Sequence, residues 1–312
     1  MLTRRHIRIK VMQALFAFYQ GDSRDIKSGL SDLNKSIQNI YTLYLYELKM
    51  FWHFHQFLEE RLEIEKQKKI PNPNRESRIR ALLAMPFMHA LSSDMSVFNV
   101  WDKKKINWGD DIDMIRGAFF SFWATEMDSD WFNSSEIPDE QDSILWFKRF
   151  YRDAIANNES IQSYYEDLSM HWSDDLDAAQ MMAVQTLQNA KRGKPLLVNL
   201  FKDDDDEAFA EMIFIKSVTS HDELMGKIRS KSEKWDYERL APVDRCIIEQ
   251  SIIEVQYATE VPIKVTINEA IELAKQYSTE KSPGFINGLL DSLVQDMISE
   301  GKVKKIGRGL IG

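Results

Sequence analysis

A chain of 312 residues, 44% of them hydrophobic, is long enough for one large core or two modest ones. Its single cysteine, Cys246, excludes an internal disulfide framework and points to a reducing compartment. The opening Met1-Leu-Thr-Arg-Arg-His leads into an amphipathic run and not a signal-peptide core, and no apolar run approaches the roughly 20 residues that span a bilayer, so a cytoplasmic protein is expected. The formal net charge of −9 speaks against nucleic acid, but its distribution does not. Residues 1–20 carry Arg4, Arg5, Arg8 and Lys10 with no acid, and residues 301–312 carry Lys302, Lys304, Lys305 and Arg308 with none. Screening over about 8 Å lets such local patches act apart from distant acidic surface.

The first helix is expected over Thr3–Gln20, with Ile7, Val11, Ala14, Leu15 and Phe18 on one face and Gly21-Asp22 as its stop. Helix continues over 26–65, where the aromatic crowd Phe51, Trp52, Phe54 and Phe57 reads as packing and not as a base-stacking platform, because Phe51, Phe54 and Leu58 keep the spacing of a buried stripe. His53 and His55 point to different helix faces, which disfavours a metal site. Glu65–Asn74, with two prolines, reads as a linker. Residues 75–135 carry Trp101, Trp108, Trp123 and Trp131, which suit either core or surface anchors, and no chemical motif. Helix is expected again over 142–172, with a break near Asn157-Asn158, and over Asp175–Leu187. The acidic run Asp203–Glu207 reads as the solvated start of a helix, where negative charge meets the positive end of the dipole, and lacks the turn glycine of a calcium loop.

The stretch Trp235–Leu293 is the best defined. Arg245–Gln256 is apolar over much of its circumference, as a central bundle helix should be, and Cys246 within it reads as a buried core residue. Pro262 closes that helix; Thr266 and Glu269 have the spacing of a capping box; Ser282 followed by Pro283 reads as an N-cap and first helical residue.

Two strings carry a resemblance. Lys264-Val-Thr-Ile-Asn-Glu-Ala-Ile-Glu-Leu-Ala-Lys, followed by Ser282, Phe285-Ile-Asn-Gly288 and Leu290-Asp291, resembles the signature of the NusB family of transcription antitermination factors. Arg4-Arg5-His6-Ile7-Arg8 with Val11-Met12-Gln13-Ala14-Leu15-Phe16 is similar to that family's arginine-rich opening helix, and residues 142–172 match its middle helices loosely. The resemblance implies an all-α fold of NusB-like helical bundles enlarged by inserted helices: N-terminal helices over 1–60, an insertion over 61–140, middle helices over 141–172, a second insertion over 173–232, C-terminal helices over 233–300 and a basic tail over 301–312.

It also implies two surfaces and no catalysis. One would bind boxA-type single-stranded RNA through Arg4, Arg5 and Arg8, with Lys281 and Phe285 at a helix start; the other would bind NusE, a protein of the small ribosomal subunit, through Phe16 and Asp244, linking RNA to the transcription elongation complex. Departures from the family pattern are Lys281 at a usually acidic position, Pro283-Gly284 in place of a His-Lys pair, and Glu249 where arginine is frequent, which should leave that surface less basic. Asn268-Glu269 and Asn287-Gly288 read as caps and close-packing positions. The family includes homodimers, and nothing in the sequence decides that point. Neither metal nor cofactor is expected: no glycine-rich phosphate loop, Ser/His/acid set or Cys/His set is present, and the sheet that an RNA methyltransferase with a NusB-like domain would need is missing. A non-catalytic interaction scaffold with reduced or lost RNA binding is the alternative.

Overall fold

The computed structural model describes residues 1–22, 24–136, 138–169, 172–191, 194–231 and 240–310. Among them the chain forms α1 (Arg4–Gln20), α2 (Ile26–Gln67), α3 (Pro73–Leu83), α4 (Pro86–Ser93), α5 (Met95–Lys104), α6 (Ile112–Glu126), α7 (Asp130–Asn133), α8 (Glu140–Phe150), α9 (Glu159–Leu168), α10 (Trp172–Lys191), α11 (Asp204–Lys231), α12 (Pro242–Tyr257), α13 (Ile263–Tyr277) and α14 (Ser282–Ser299), and no strand. The all-α expectation holds. Trp235 and the last two residues of the basic tail lie outside the described residues. The chain divides into two compact units, residues 1–37 with 201–312, and residues 38–200.

In the first unit α12 is the hub, packing against α1, α11, α13 and α14. Its apolar girdle of Cys246, Ile247, Ile248, Ile252, Ile253 and Val255 is fully used, as a helix apolar over most of its circumference requires. Pro242 starts it at a position where a missing N–H costs nothing. After Tyr257 a short turn leads to Pro262, which precedes α13. The tail folds back: Ile306 N–H and Lys305 Nζ donate to the carbonyls of Thr259 and Ala258, at 3.1 and 3.0 Å.

Two expected caps are not caps. α13 begins at Ile263, three residues before Thr266, so Thr266 and Glu269 lie inside the helix and turn to other helices. Ser282 likewise donates its hydroxyl to Asp244 Oδ2 at 2.7 Å instead of capping α14. Gly288 is exposed, and a Cβ there would meet open space, so it is no close-packing position. The acidic run does open α11, but Asp206 is buried and ion-paired. The stretch read as a second insertion, 173–232, divides between the units: α10 belongs to one, and α11 packs on α1 and α12 in the other.

The second unit is built on aromatic side chains. Phe51, Phe54, Phe57, Phe119, Phe147 and Phe150 are all buried, with Phe54 and Phe150 stacked at 3.7 Å. Trp101, Trp108 and Trp123 belong to this core, and Trp101 Nε1–H donates to the Leu45 carbonyl at 3.1 Å. The expected break near Asn157 is present: a π-helical turn over Tyr151–Ala156 ends α8, and Asn158 caps α9. Tyr151 and Tyr165 donate to the fully buried Glu47 at 2.7 and 2.9 Å, and burial raises that carboxyl to about 7. The linker is shorter than expected, residues 68–72, because α2 runs on to Gln67 and α3 starts at Pro73.

Gly29 sets how closely the start of α2 approaches its neighbours in the first unit. A Cβ there would lie 2.7 Å from ring atoms of both Phe18 and Phe214, whose rings are packed edge to face. Gly29→Ala should therefore overpack the site, outweighing its gain in helix propensity, and cost about 1–3 kcal/mol. A lowered urea midpoint by circular dichroism checks this; an unchanged or raised midpoint contradicts it.

Candidate nucleic-acid interface

The arginine-rich end of α1 is an unusual place for cations, because the first turn of a helix favours negative charge and α1 has no acid there. Carboxylates from three other helices converge to compensate. Arg4 Nε pairs with Asp206 of α11 at 3.0 Å. Arg5 makes a bidentate pair with Glu269 of α13, both bonds 2.8 Å. Arg8 makes a bidentate pair with Glu254 of α12, both bonds 2.7 Å, and Glu254 also accepts from the Thr266 hydroxyl at 2.8 Å. Phe209 of α11 lies under the guanidinium groups of Arg4 and Arg8, at 4.8 and 5.6 Å from its centroid.

The three arginines thus differ in what they can offer a ligand. Arg8 has a side chain only 6% exposed, and its fork is filled by Glu254, so it is a structural ion pair where the sequence suggested a phosphate contact. Arg4 is half-buried and Arg5 exposed, so both reach solvent. The Arg5 guanidinium holds the Glu269 carboxyl below the usual carboxylate range.

Lys281 and Phe285 sit at the start of α14, Lys281 exposed and Phe285 half-buried. Their junction is fixed by a hydroxyl cluster: Ser282 Oγ lies 3.0 Å from Ser278 Oγ and 2.8 Å from Thr279 Oγ1 and donates to Asp244. Asp244 is itself buried, so it holds this junction from beneath where the sequence placed it on a partner surface. Asp244 and Glu254 are ten residues apart on α12, about 15 Å at 1.5 Å per residue. The arginine cluster and the Lys281–Phe285 junction are therefore anchored near opposite ends of α12.

Phe16, 37% exposed, borders a groove of about 630 Å³ between α1, α11 and α12, also lined by Tyr19, Arg24, His221, Arg245 and Cys246. His221 packs on Tyr19 at 4.3 Å between centroids with the rings tilted by 36°, and its Nδ1 lies 3.1 Å from Glu249 Oε1. Glu249 is 0% exposed, so it does not alter any surface charge, contrary to the reading from sequence. Its hydrogen bond raises the His221 pKa, while burial raises that of Glu249. Burial, then Glu249, push the Cys246 thiol up to about 12, which makes it an inert core residue. Among the described residues no group of His, Cys, Asp and Glu could hold a metal ion, and no helix is long and apolar enough to cross a membrane.

Removing one partner of the buried Arg8–Glu254 pair should cost about 3–5 kcal/mol. Glu254→Gln and Arg8→Met alone should each lower the urea midpoint strongly, and the combined Arg8→Met/Glu254→Leu variant should recover much of the loss. The His221–Glu249 pair predicts a pH effect of definite sign. Both folded-state pKa values are raised, so the folded state holds protons more tightly. The His221 contribution is complete below its ordinary value of 6.5 and is lost as pH rises through the raised folded value. Between pH 6 and 8.5 the urea midpoint should fall, and His221→Asn should flatten that dependence; equal slopes in the two proteins would contradict the assignment.

The NusB family model, described as "NusB family", matches residues 177–295, from within α10 to near the end of α14. Relatives named "Transcription antitermination protein NusB" include one from Salinibacter ruber, 36% identical over 130 residues, which are 41% of this chain and 81% of the relative. Another, from Methylacidiphilum infernorum, is 43% identical over 95 residues, 30% of this chain and 66% of the relative. A third, from Thermodesulfovibrio yellowstonii, is 39% identical over 102 residues, 32% of this chain and 67% of the relative. No solved structure matches significantly. With most of one relative's length covered at that identity, and the family's sequence laid over the helices that hold the arginine cluster's carboxylates, the chain belongs to the NusB family.

Proposed function

We propose that the protein is a non-catalytic transcription antitermination factor that binds boxA-type single-stranded RNA through Arg4, Arg5, Lys281 and Phe285 and docks NusE at the groove bordered by Phe16. The observation that carries the reading is the exposed Arg5 fork on Glu269. It is an ion pair in solvent, worth about 0–1 kcal/mol, that a phosphate can replace with the same bidentate geometry. Phe285 supplies a ring for a base at a helix start, where backbone N–H groups and the dipole favour phosphate. Arg8 takes the role of holding α1 against α12, so that its neighbours point outward. In this reading the protein works by recruitment, bringing nascent RNA and a ribosomal protein to elongating polymerase.

One observation favours the alternative, an interaction scaffold with reduced RNA affinity: all three arginines already have carboxylate partners. Fluorescence anisotropy with a short boxA-like RNA at several salt concentrations separates the two readings. Each phosphate contact removed should flatten the log–log salt slope by about 0.7. Arg5→Ala and Lys281→Ala should each do so, Phe285→Ala should cost about 1–3 kcal/mol, and Glu269→Gln should tighten binding by releasing Arg5. If none of these changes affinity or slope, the RNA site is elsewhere or absent. Phe16→Ala should in parallel weaken retention of purified NusE on the immobilised protein; undiminished retention removes the proposed docking groove.

A further inference from the structure

The second unit carries a groove that neither RNA nor NusE binding uses. It lies between the ends of α2 and α6 and the first turns of α3, measures about 330 Å³, and is lined by Arg61, Ile64, Ile79, Phe120, Trp123 and Met127. Its walls are mostly apolar, and two of its large side chains remain open to solvent, Ile64 at 45% and Phe120 at 40%. Apolar residues scattered singly over a surface need no explanation, but these two border one concavity.

The groove's charged lining is mainly basic in an acidic protein: Arg61, Lys68 and Arg75 stand against one acid, Glu65, in a chain whose net charge is −9. The acids nearby are engaged. Glu65 is buried and accepts from Lys68 Nζ at 2.5 Å and from the Asn72 backbone N–H at 3.1 Å. Glu63 pairs with Lys66, and Glu60 makes a bidentate pair with Arg116. Asp128, almost fully exposed, stands 3.7 Å from Arg75.

Arg61 is the exception. Its guanidinium lies over the rings of Phe57 and Phe120, at 5.1 and 4.9 Å, and its Nε is buried without a hydrogen-bond acceptor. Among the described residues it forms no ion pair with a carboxylate, and the loss of solvent around it lowers its pKa. An arginine held over aromatic rings, with no carboxylate partner and a hydrophobic slot beside it, has the chemistry that recognises a carboxylate followed by a bulky apolar side chain.

We propose that this groove is a docking site for an acidic, apolar-anchored peptide segment of another protein, with Arg61 pairing a carboxylate and the slot between Ile64 and Phe120 taking a large apolar side chain. Charge selects this occupant. A second copy of the chain would bring a net −9 surface but would need an exposed acidic-apolar segment of its own. RNA would need a more polar floor than Ile79, Trp123 and Met127 provide. The proposal is independent of the RNA and NusE reading, since it rests only on residues 57–128.

Panning random 16-residue peptides displayed on phage against the full-length protein tests it. Selected sequences should place Asp or Glu beside two or more large apolar residues. As synthetic fluorescent peptides they should bind the wild type and bind Arg61→Glu and Phe120→Ser at least tenfold more weakly, with thermal melting verifying that both variants fold. Reversing the peptide's acids to lysine should abolish binding to the wild type, a comparison that does not depend on any variant folding. Selection without an acidic-apolar consensus, or indifference to charge reversal, overturns the proposal. So does a dependence on Arg61 shown by random single-stranded RNA and not by the peptides, or self-association in sedimentation that Phe120→Ser abolishes while the peptides fail to compete.

Discussion

The first unit depends on one buried constellation, in which Glu254 receives two bonds from Arg8 and one from Thr266. Burying two charges costs several kcal/mol each, and their attraction offsets this only when the geometry is good and the remaining hydrogen-bonding groups are satisfied. Here the bidentate fork and the extra hydroxyl meet that condition. The bond joins residues 246 positions apart and brings α1, α12 and α13 to a single point. An apolar face lets a helix turn or slide by a few degrees at little cost, whereas a two-bond fork does not. The position of α1, and with it the outward direction of Arg4 and Arg5, follows from that pair.

That constraint changes the meaning of the chain's basic ends. In the sequence they are two patches of +4 each on a body of −17. In the fold, the first patch meets Asp206, Glu269 and Glu254, and Lys305 of the second reaches back to the Ala258 carbonyl, half-buried. The first end is therefore not an arm of free charge. Any phosphate that binds at α1 must exchange with a carboxylate, so affinity is set by the difference between two ion pairs and not by the bare charge of the arginines. Such exchange favours specific seating over long-range attraction, since the field outside the cluster is largely cancelled.

How much of this could be read beforehand follows from the range of each interaction. The helices themselves, the apolar girdle of α12, the buried Phe51, Phe54 and Phe57, and the break before Asn158 are set by local periodicity and local breakers, and they were legible. Thr266 and Glu269 were misread because a threonine followed three residues later by glutamate looks the same whether the two satisfy their own backbone or reach across to Glu254 and Arg5. Ser282 misled for the same reason: its partner, Asp244, is 38 positions away. Glu249 and Arg8 looked like surface charges because a sequence shows a charged residue on a helix but not the partner that lets it be buried. The carboxylates that matter most at the candidate site, Asp206, Glu254 and Glu269, carry no local signal at all for that role.

The enlargement of the chain obeys the same physics with different side chains. The second unit takes in residues 177–200, which belong to the family match, together with residues that lie outside it. The two sets share one interior. Tyr44 of α2 bonds to Thr186 of α10 at 2.8 Å and accepts from the Val198 backbone at 3.0 Å, and α4 packs on α10. Ala178, Ala179, Met182 and Ala183 are buried within the same unit. Deleting residues 61–140 would remove α3 to α7 and strip the cover from Phe51, Phe54 and Phe57, so the added helices cannot be a detachable module. Their aromatic density is a consequence: short helices of 4–15 residues bury little area each, and large rings supply apolar contact that smaller side chains could not. The extra segment is thus integrated into the unit's core, and its exposed groove is formed by helices packed into that core.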